Sequence, residues 1–225
     1  MIGNLEHEVS PLNGFGQAYP WETIGDGDGK GTVVDLGGSI GTSSILLARR
    51  FPKLKFIVQD LPGPIENGKK AVPPDVSDRV EFMVHNFFTE QPVTADAYFF
   101  RYIFHNWGDG KVLAILRALV PALKPGAKVI INDYILPESG SMDIAHERRA
   151  RYVPANHLNS LCKLAVKVAD ARRAMDITML SWFNARERKR TEWEDMFRKA
   201  GPRFTAINSF IPEEARMGFI EATWQ

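Results

Sequence analysis

The stretch Thr32-Val-Val-Asp-Leu-Gly-Gly-Ser-Ile-Gly-Thr-Ser43 restricts the fold of this chain more than any other. A short β-branched run leads into Asp35, a glycine pair follows at Gly37 and Gly38, and Gly41 opens the apolar helical pattern Ile45, Leu46, Leu47, Ala48. The pattern predicts a buried strand that turns sharply into a helix, with glycine where a Cβ would keep a ligand off the backbone. Such a turn aims unpaired N–H groups and the positive end of a helix dipole at a nucleotide-like ligand. The spacing is Asp-x-Gly-Gly-x-x-Gly, not Gly-x-Gly-x-x-Gly, which counts against a nicotinamide dehydrogenase.

Downstream the chain alternates short apolar runs with helical stripes. Strands are predicted at Lys55–Asp60, Arg79–His85, Asp96–Arg101 and Ala127–Asp133. Val112, Leu116, Leu119 and Leu123 form a helix stripe between the last two, and Lys124-Pro-Gly126 stops it. This alternation implies parallel βαβ units. Thr191-x-x-Glu194 reads as a capping box for a helix with Trp193, Phe197 and Ala200 on one face. Arg203–Phe210 and Gly218–Trp224 then follow with too short a link for a crossover helix, so they form an antiparallel hairpin. The expected architecture is α/β: five parallel strands plus an antiparallel C-terminal hairpin, flanked by helices. Residues 1–31 read as an extended, partly ordered lead-in, and 32–225 as the ligand-binding domain.

The totals remove several classes of function. Twenty-eight basic and 27 acidic residues leave a net charge of +1, with no electrostatic footprint for nucleic acid or an anionic membrane. One cysteine, Cys162, excludes an intramolecular disulfide and fits a reducing compartment. The opening Met-Ile-Gly-Asn-Leu-Glu-His-Glu has neither the basic patch nor the apolar core of a signal peptide, so the expected location is cytoplasmic.

Two clusters carry chemistry. Asp60 ends the second strand, where a carboxylate can accept both hydroxyls of a ribose. Alone it reads equally well as a solvated strand end; beside the glycine turn, the ribose role outweighs that. The second cluster, Phe100-Arg-Tyr-Ile-Phe-His-Asn-Trp-Gly-Asp109, leaves the carboxyl end of the fourth strand. A histidine among aromatics is usually packing. Here Asp133 and Glu187 can reach the same sheet edge, and two carboxylates would hold His105 in one tautomer and make it more basic. No clustered spacing in the sequence suggests a metal.

Val33 to Gly41, Asp60-Leu-Pro62, His105-Asn-Trp-Gly-Asp109, Leu123-Lys-Pro-Gly126, Val129–Pro137 and Phe183-Asn-Ala-Arg-Glu-Arg188 together resemble the S-adenosylmethionine-dependent O-methyltransferases of the caffeate/flavonoid type, in their fungal secondary-metabolism branch. The resemblance implies a Rossmann-like class I methyltransferase sheet, S-adenosyl-L-methionine as cofactor, and a small phenolic or polyketide hydroxyl as acceptor. It implies His105 as general base, with Asp133 and Glu187 flanking it. It implies that Asp35, Gly37, Gly38, Gly41, Asp60, Leu61, Asn86, Phe87 and Arg101 line the cofactor site, with no metal.

Four departures bear on those expectations. Asn86 replaces an Asp that faces the adenine, Arg101 replaces a Lys, and Asp133 replaces a Glu that is one methylene longer. Fourth, about thirty residues precede the first strand, where the family carries a helical domain that makes the homodimer and part of the acceptor pocket. A homodimer therefore stays an open expectation. Two alternatives also stay open: a cofactor-binding pericyclase, or a truncated, non-catalytic cofactor-binding protein. The segment 151–173 has no counterpart in the family and reads as an inserted helix or an unspliced intron.

Overall fold

The structure is a computed structural model, and it describes residues 16–25, 30–136, 179–180, 183, 185–212 and 217–225. The segment 151–173 lies outside the described residues, as does Cys162.

The chain runs β1 (Gly31–Leu36), α1 (Thr42–Arg50), β2 (Leu54–Asp60), α2 (Pro62–Ala71), β3 (Val80–Val84), β4 (Ala97–Arg101), α3 (Asp109–Leu119) and β5 (Lys128–Asp133). It then forms β6 (Ile135–Leu136), β7 (Arg188–Lys189), α4 (Arg190–Ala200), β8 (Phe204–Phe210) and β9 (Gly218–Trp224). Seven strands make one sheet in the order β3-β2-β1-β4-β5-β9-β8. The first five are parallel; β9 runs antiparallel to both β5 and β8. The expected five strands and closing hairpin are therefore present, and β2 to β5, β8 and β9 each begin and end within a residue of the expected span; the short pair β6 and β7 was not expected. The order reverses between β1 and β4. That leaves a crevice at the carboxyl ends of the strands, where such sheets bind ligands.

Alternation within each strand builds a core on either face of the sheet. Val34, Leu36, Tyr98, Phe100, Val129 and Ile131 face α3 and α4. Their neighbours Val33, Ala97, Phe99 and Ile130 face α1 and the segment before β1. Part of the lead-in is thus core: Tyr19, Trp21 and Ile24 are buried, and Trp21 meets Phe99 edge-on at 5.1 Å.

Two helix ends differ from expectation. The stripe leading to Leu123 stays buried, but α3 ends at Leu119 and Val120–Ala122 tighten into a 3₁₀ turn. Pro121 has no amide hydrogen to continue the helix. At α4 the cap is not Thr191 with Glu194. Glu192 accepts the Lys189 amide N–H at 2.9 Å, and Glu194 instead bridges Arg190 and Arg198 at 3.0 and 3.2 Å. Arg188 and Lys189 pair with β6, which sets the helix start earlier than the local motif implies. No helix of the described residues is long and apolar enough to cross a membrane.

Candidate active site

The glycine turn sits at the carboxyl end of β1. Gly37 and Gly41 have φ of +72° and +82°, which side-chain-bearing residues seldom adopt. The Gly37 and Gly38 amides both donate to the Gln59 carbonyl, at 2.7 and 3.2 Å, pinning the turn to β2. Gly38 is constrained by its neighbour: a Cβ there would lie 2.7 Å from the Asp35 carboxylate and 2.9 Å from Val58. Gly41 serves packing as well as any ligand, because its missing Cβ leaves room for the Phe82 ring.

Asp35 is buried under this turn and accepts the Ser44 hydroxyl at 2.6 Å. Burial pushes its carboxyl up to about 6, against the Ser44 hydrogen bond and the Arg101 charge, with Asp60 adding to the rise. The neutral acid is therefore favoured by folding. Its contribution to stability is complete below the unfolded carboxylate range and is lost as pH rises through about 6. An Asp35→Asn variant should thus gain on the wild type by about 2 kcal/mol between pH 4 and pH 8. Denaturant titrations at both pH values test this, and a pH-independent difference would refute it.

Asp60 closes the turn from β2. Its Oδ2 accepts the Ser39 amide at 2.8 Å and its Oδ1 the Leu61 amide at 2.7 Å. Each oxygen keeps a second lone pair for a hydroxyl. Leu61 is exposed, and so are Ile40 in the turn and Val84, the register partner of Asp60 on β3. Asn86 follows β3 at the same edge, where its Oδ1 accepts the Phe88 amide at 3.1 Å. Phe87 packs with Phe88 and Trp107 at centroid distances of 5.0 and 6.1 Å, and a Cβ on Gly37 would come within 3.6 Å of its ring. Arg101 ends β4, with Nε donating to Asn132 at 3.1 Å and the guanidinium 5.0 Å from the Tyr102 ring. All nine residues expected around the cofactor thus gather along one edge, from β1 outward to β3 and inward to β4.

The second group lies one strand further on. His105 occupies the 3₁₀ turn Phe104–Asn106 after β4 and is 9% exposed. Its Nδ1 stands 3.5 Å from Glu187 Oε1 and 3.8 Å from Asp133 Oδ1. Asp133 is oriented from both sides: Oδ2 accepts the His105 amide and Oδ1 the Tyr134 amide, each at 3.1 Å. Glu187 arrives because β6 continues β5 and pairs with β7, whose first residue follows Glu187. Burial works against charging His105. The nearby Glu187 and Asp133 carboxylates and the Tyr102 carbonyl outweigh it and raise the imidazole above its ordinary range. Burial also raises Asp133, against the pull of His105. The three donor atoms lie within 4.8 Å of one another, a spacing that could also hold a divalent ion. The sequence places the three residues at one sheet edge; their separations come only from the fold, since they belong to three separate elements.

The two groups meet at Ile103, whose Cδ1 would be 2.4 Å from a Cβ on Gly37. His105 follows two residues after Ile103, past the wall of the glycine turn. Two features of the site escape sequence reasoning. Tyr102 has a φ of +58°, and its ring centroid is 5.5 Å from that of His105 and 6.1 Å from that of Tyr134. Arg188 is buried behind the turn that carries His105, although nothing in Arg-Glu-Arg distinguishes it from the half-exposed Arg186.

Comparisons with known proteins bear on the family and the fold. The profile of the O-methyltransferase domain matches residues 26–203. The chain is 46% identical over 211 residues to the grayanic acid biosynthesis cluster O-methyltransferase of Cladonia grayi, covering 93% of this chain and 41% of that protein. It is 41% identical to a chlorophenol O-methyltransferase of Trichoderma longibrachiatum, covering 86% of this chain and 38% of that one. It therefore spans about two fifths of the length of these relatives. Human N-acetylserotonin methyltransferase, solved with S-adenosylmethionine, shares the fold at a TM-score of 0.73 and 20% identity, over 97% of this chain and 53% of that one. On the match across most of its length, the chain belongs to the O-methyltransferase domain family.

Proposed function

We propose that this protein methylates a hydroxyl of a small aromatic or polyketide-type molecule, with S-adenosyl-L-methionine as donor and His105 as general base. One observation carries the reading: a buried imidazole flanked by two carboxylates stands beside a glycine cradle that ends at the Asp60 carboxylate.

The residues suit the cofactor. Asp60 keeps a lone pair on each oxygen for the hydroxyls of a ribose, and Ile40, Leu61 and Val84 offer uncovered apolar surface for a nucleobase. Arg101 donates to Asn132 on β5 and offsets the Asp35 charge. When bound, the cofactor supplies an activated methyl group. What remains for the chain is alignment and proton removal. A phenol of pKa near ~10 is mostly protonated at neutral pH, so its attack needs a base. His105 takes that proton, and Glu187 and Asp133 stabilise the imidazolium that results. The separations of 3.5 and 3.8 Å are long for hydrogen bonds, as is common before substrate draws such a site together. The chlorophenol O-methyltransferase of Trichoderma longibrachiatum supports a phenolic acceptor.

Incubating the protein with cofactor and a panel of phenols tests the reading. The expected products are S-adenosylhomocysteine and the methyl ether in equal amounts. Cofactor binding without S-adenosylhomocysteine on any phenol would overturn it. The base must be neutral to act, so kcat/KM should fall as pH drops through a value above the ordinary imidazole range near ~6.5. Glu187→Gln should move that limb to lower pH, and an unmoved limb would contradict the role of Glu187.

A further inference from the structure

Arg188 is 1% exposed, and a buried guanidinium is tolerated only when its charge and all its donors are met. Here they are. Nε and Nη2 donate to Asp109 Oδ1 at 3.0 and 2.8 Å, Nη2 also to the Trp107 carbonyl at 2.7 Å, and Nη1 to the Phe104 and Arg186 carbonyls at 3.2 Å each. A guanidinium has five N–H donors, so none is left over. Its face lies against the Trp193 ring, 5.4 Å from the centroid.

The acceptors are informative by position. Phe104 and Trp107 bracket the short turn that carries His105, whereas Arg186 and Arg188 bracket Glu187. The planar group therefore ties the main chain on both sides of the base to the main chain on both sides of its carboxylate. Asp109 is held in turn by Arg186 at 2.9 Å, and Arg186 also pairs with Glu192. These two arginines keep the Asp109 carboxyl below its usual range despite partial burial.

We infer that Arg188 is a positioning residue whose guanidinium sets the separation between His105 and Glu187, and with it the basicity of the imidazole. The inference rests on the reading of His105 as the base. Among the described residues, the charged and titratable groups around that imidazole are Asp133 from β5, Glu187 ahead of β7, and Arg188 behind the turn. Tyr102 faces it from the end of β4, with Arg101 on that ring.

Arg188→Lys keeps the charge but offers three donors from one point and cannot span these acceptors. In Arg188→Lys, kcat should fall roughly ten- to a hundredfold, a part of what a placed base contributes, with cofactor affinity within about twofold of wild type. The acid limb of kcat/KM should move to lower pH as Glu187 loses its hold on the imidazole. Asp109→Asn, which disturbs only the far end of the clamp, should shift the limb the same way with a smaller loss in kcat. It also keeps the test open if the lysine variant does not fold. The His105 imidazole can be titrated by NMR in cofactor-bound protein with no turnover at all. Wild type should titrate above the ordinary imidazole range and both variants closer to it. A folded variant with an unmoved titration, or one that loses cofactor affinity in step with kcat, would overturn the positioning role. Failure of the wild type to methylate any phenol, with the NMR shifts as expected, would instead count against the base reading alone.

Discussion

His105→Ala should lower turnover by roughly 10²–10⁴ while leaving the cofactor affinity close to that of wild type. The imidazole is the group proposed to take the proton, and it lies beyond Ile103 from the glycine turn. Removing it should spare ligand contacts made at Asp60 and the cradle. The deficit should also narrow as pH approaches ~10, because the acceptor phenol then ionises unaided. Measuring kcat against pH for both proteins, with calorimetric binding of S-adenosylhomocysteine, tests both parts. Unchanged turnover at neutral pH would remove His105 from the chemistry. A deficit that does not change with pH would leave it a packing role only.

Gly38→Ala should destabilise the fold by about 1–3 kcal/mol and weaken cofactor binding at least tenfold. The new Cβ would stand 2.7 Å from the Asp35 carboxylate and 2.9 Å from Val58. Neither can give way easily: Asp35 is buried and tied to Ser44 at 2.6 Å, and Val58 lies in the sheet core. The turn must shift instead. Its amide bond to the Gln59 carbonyl and the Ser39 bond to Asp60 move with it. Gly63, in the first turn of α2, is the matching control, because a Cβ there meets nothing within 4 Å. Gly63→Ala should be neutral or slightly stabilising. Equal effects at the two positions, by thermal unfolding and cofactor titration, would show that the cradle is not the constraint.

Much of this was legible beforehand because it depends on neighbours in sequence. The glycine turn, the apolar alternation of the strands and the stripe on α3 each follow from periods of two or 3.6 residues. Two local readings failed because a nearby residue competed with them. Pro121 ends α3 before the stripe runs out, and the pairing of Arg188–Lys189 with β6 moves the cap of α4 from Thr191 to Lys189. The lead-in segment looked irregular, yet Tyr19 and Trp21 fill the face of the sheet opposite α3 and α4. A Gly- and Pro-containing stretch has no period to show that its aromatics are buried.

By itself the sequence determined the order of elements, the edge at which the ligand-facing loops lie, and the residue types available there. Tertiary structure alone decided that His105, Asp133 and Glu187 come within 4.8 Å of one another. Those three positions are far apart in the chain, and only the pairing of β4 with β5 and of β6 with β7 brings them together. It also decided that Arg188 is buried while Arg186 is not. An arginine can leave water only where carbonyls and a carboxylate from other segments meet every donor, and no local pattern encodes such a set of acceptors.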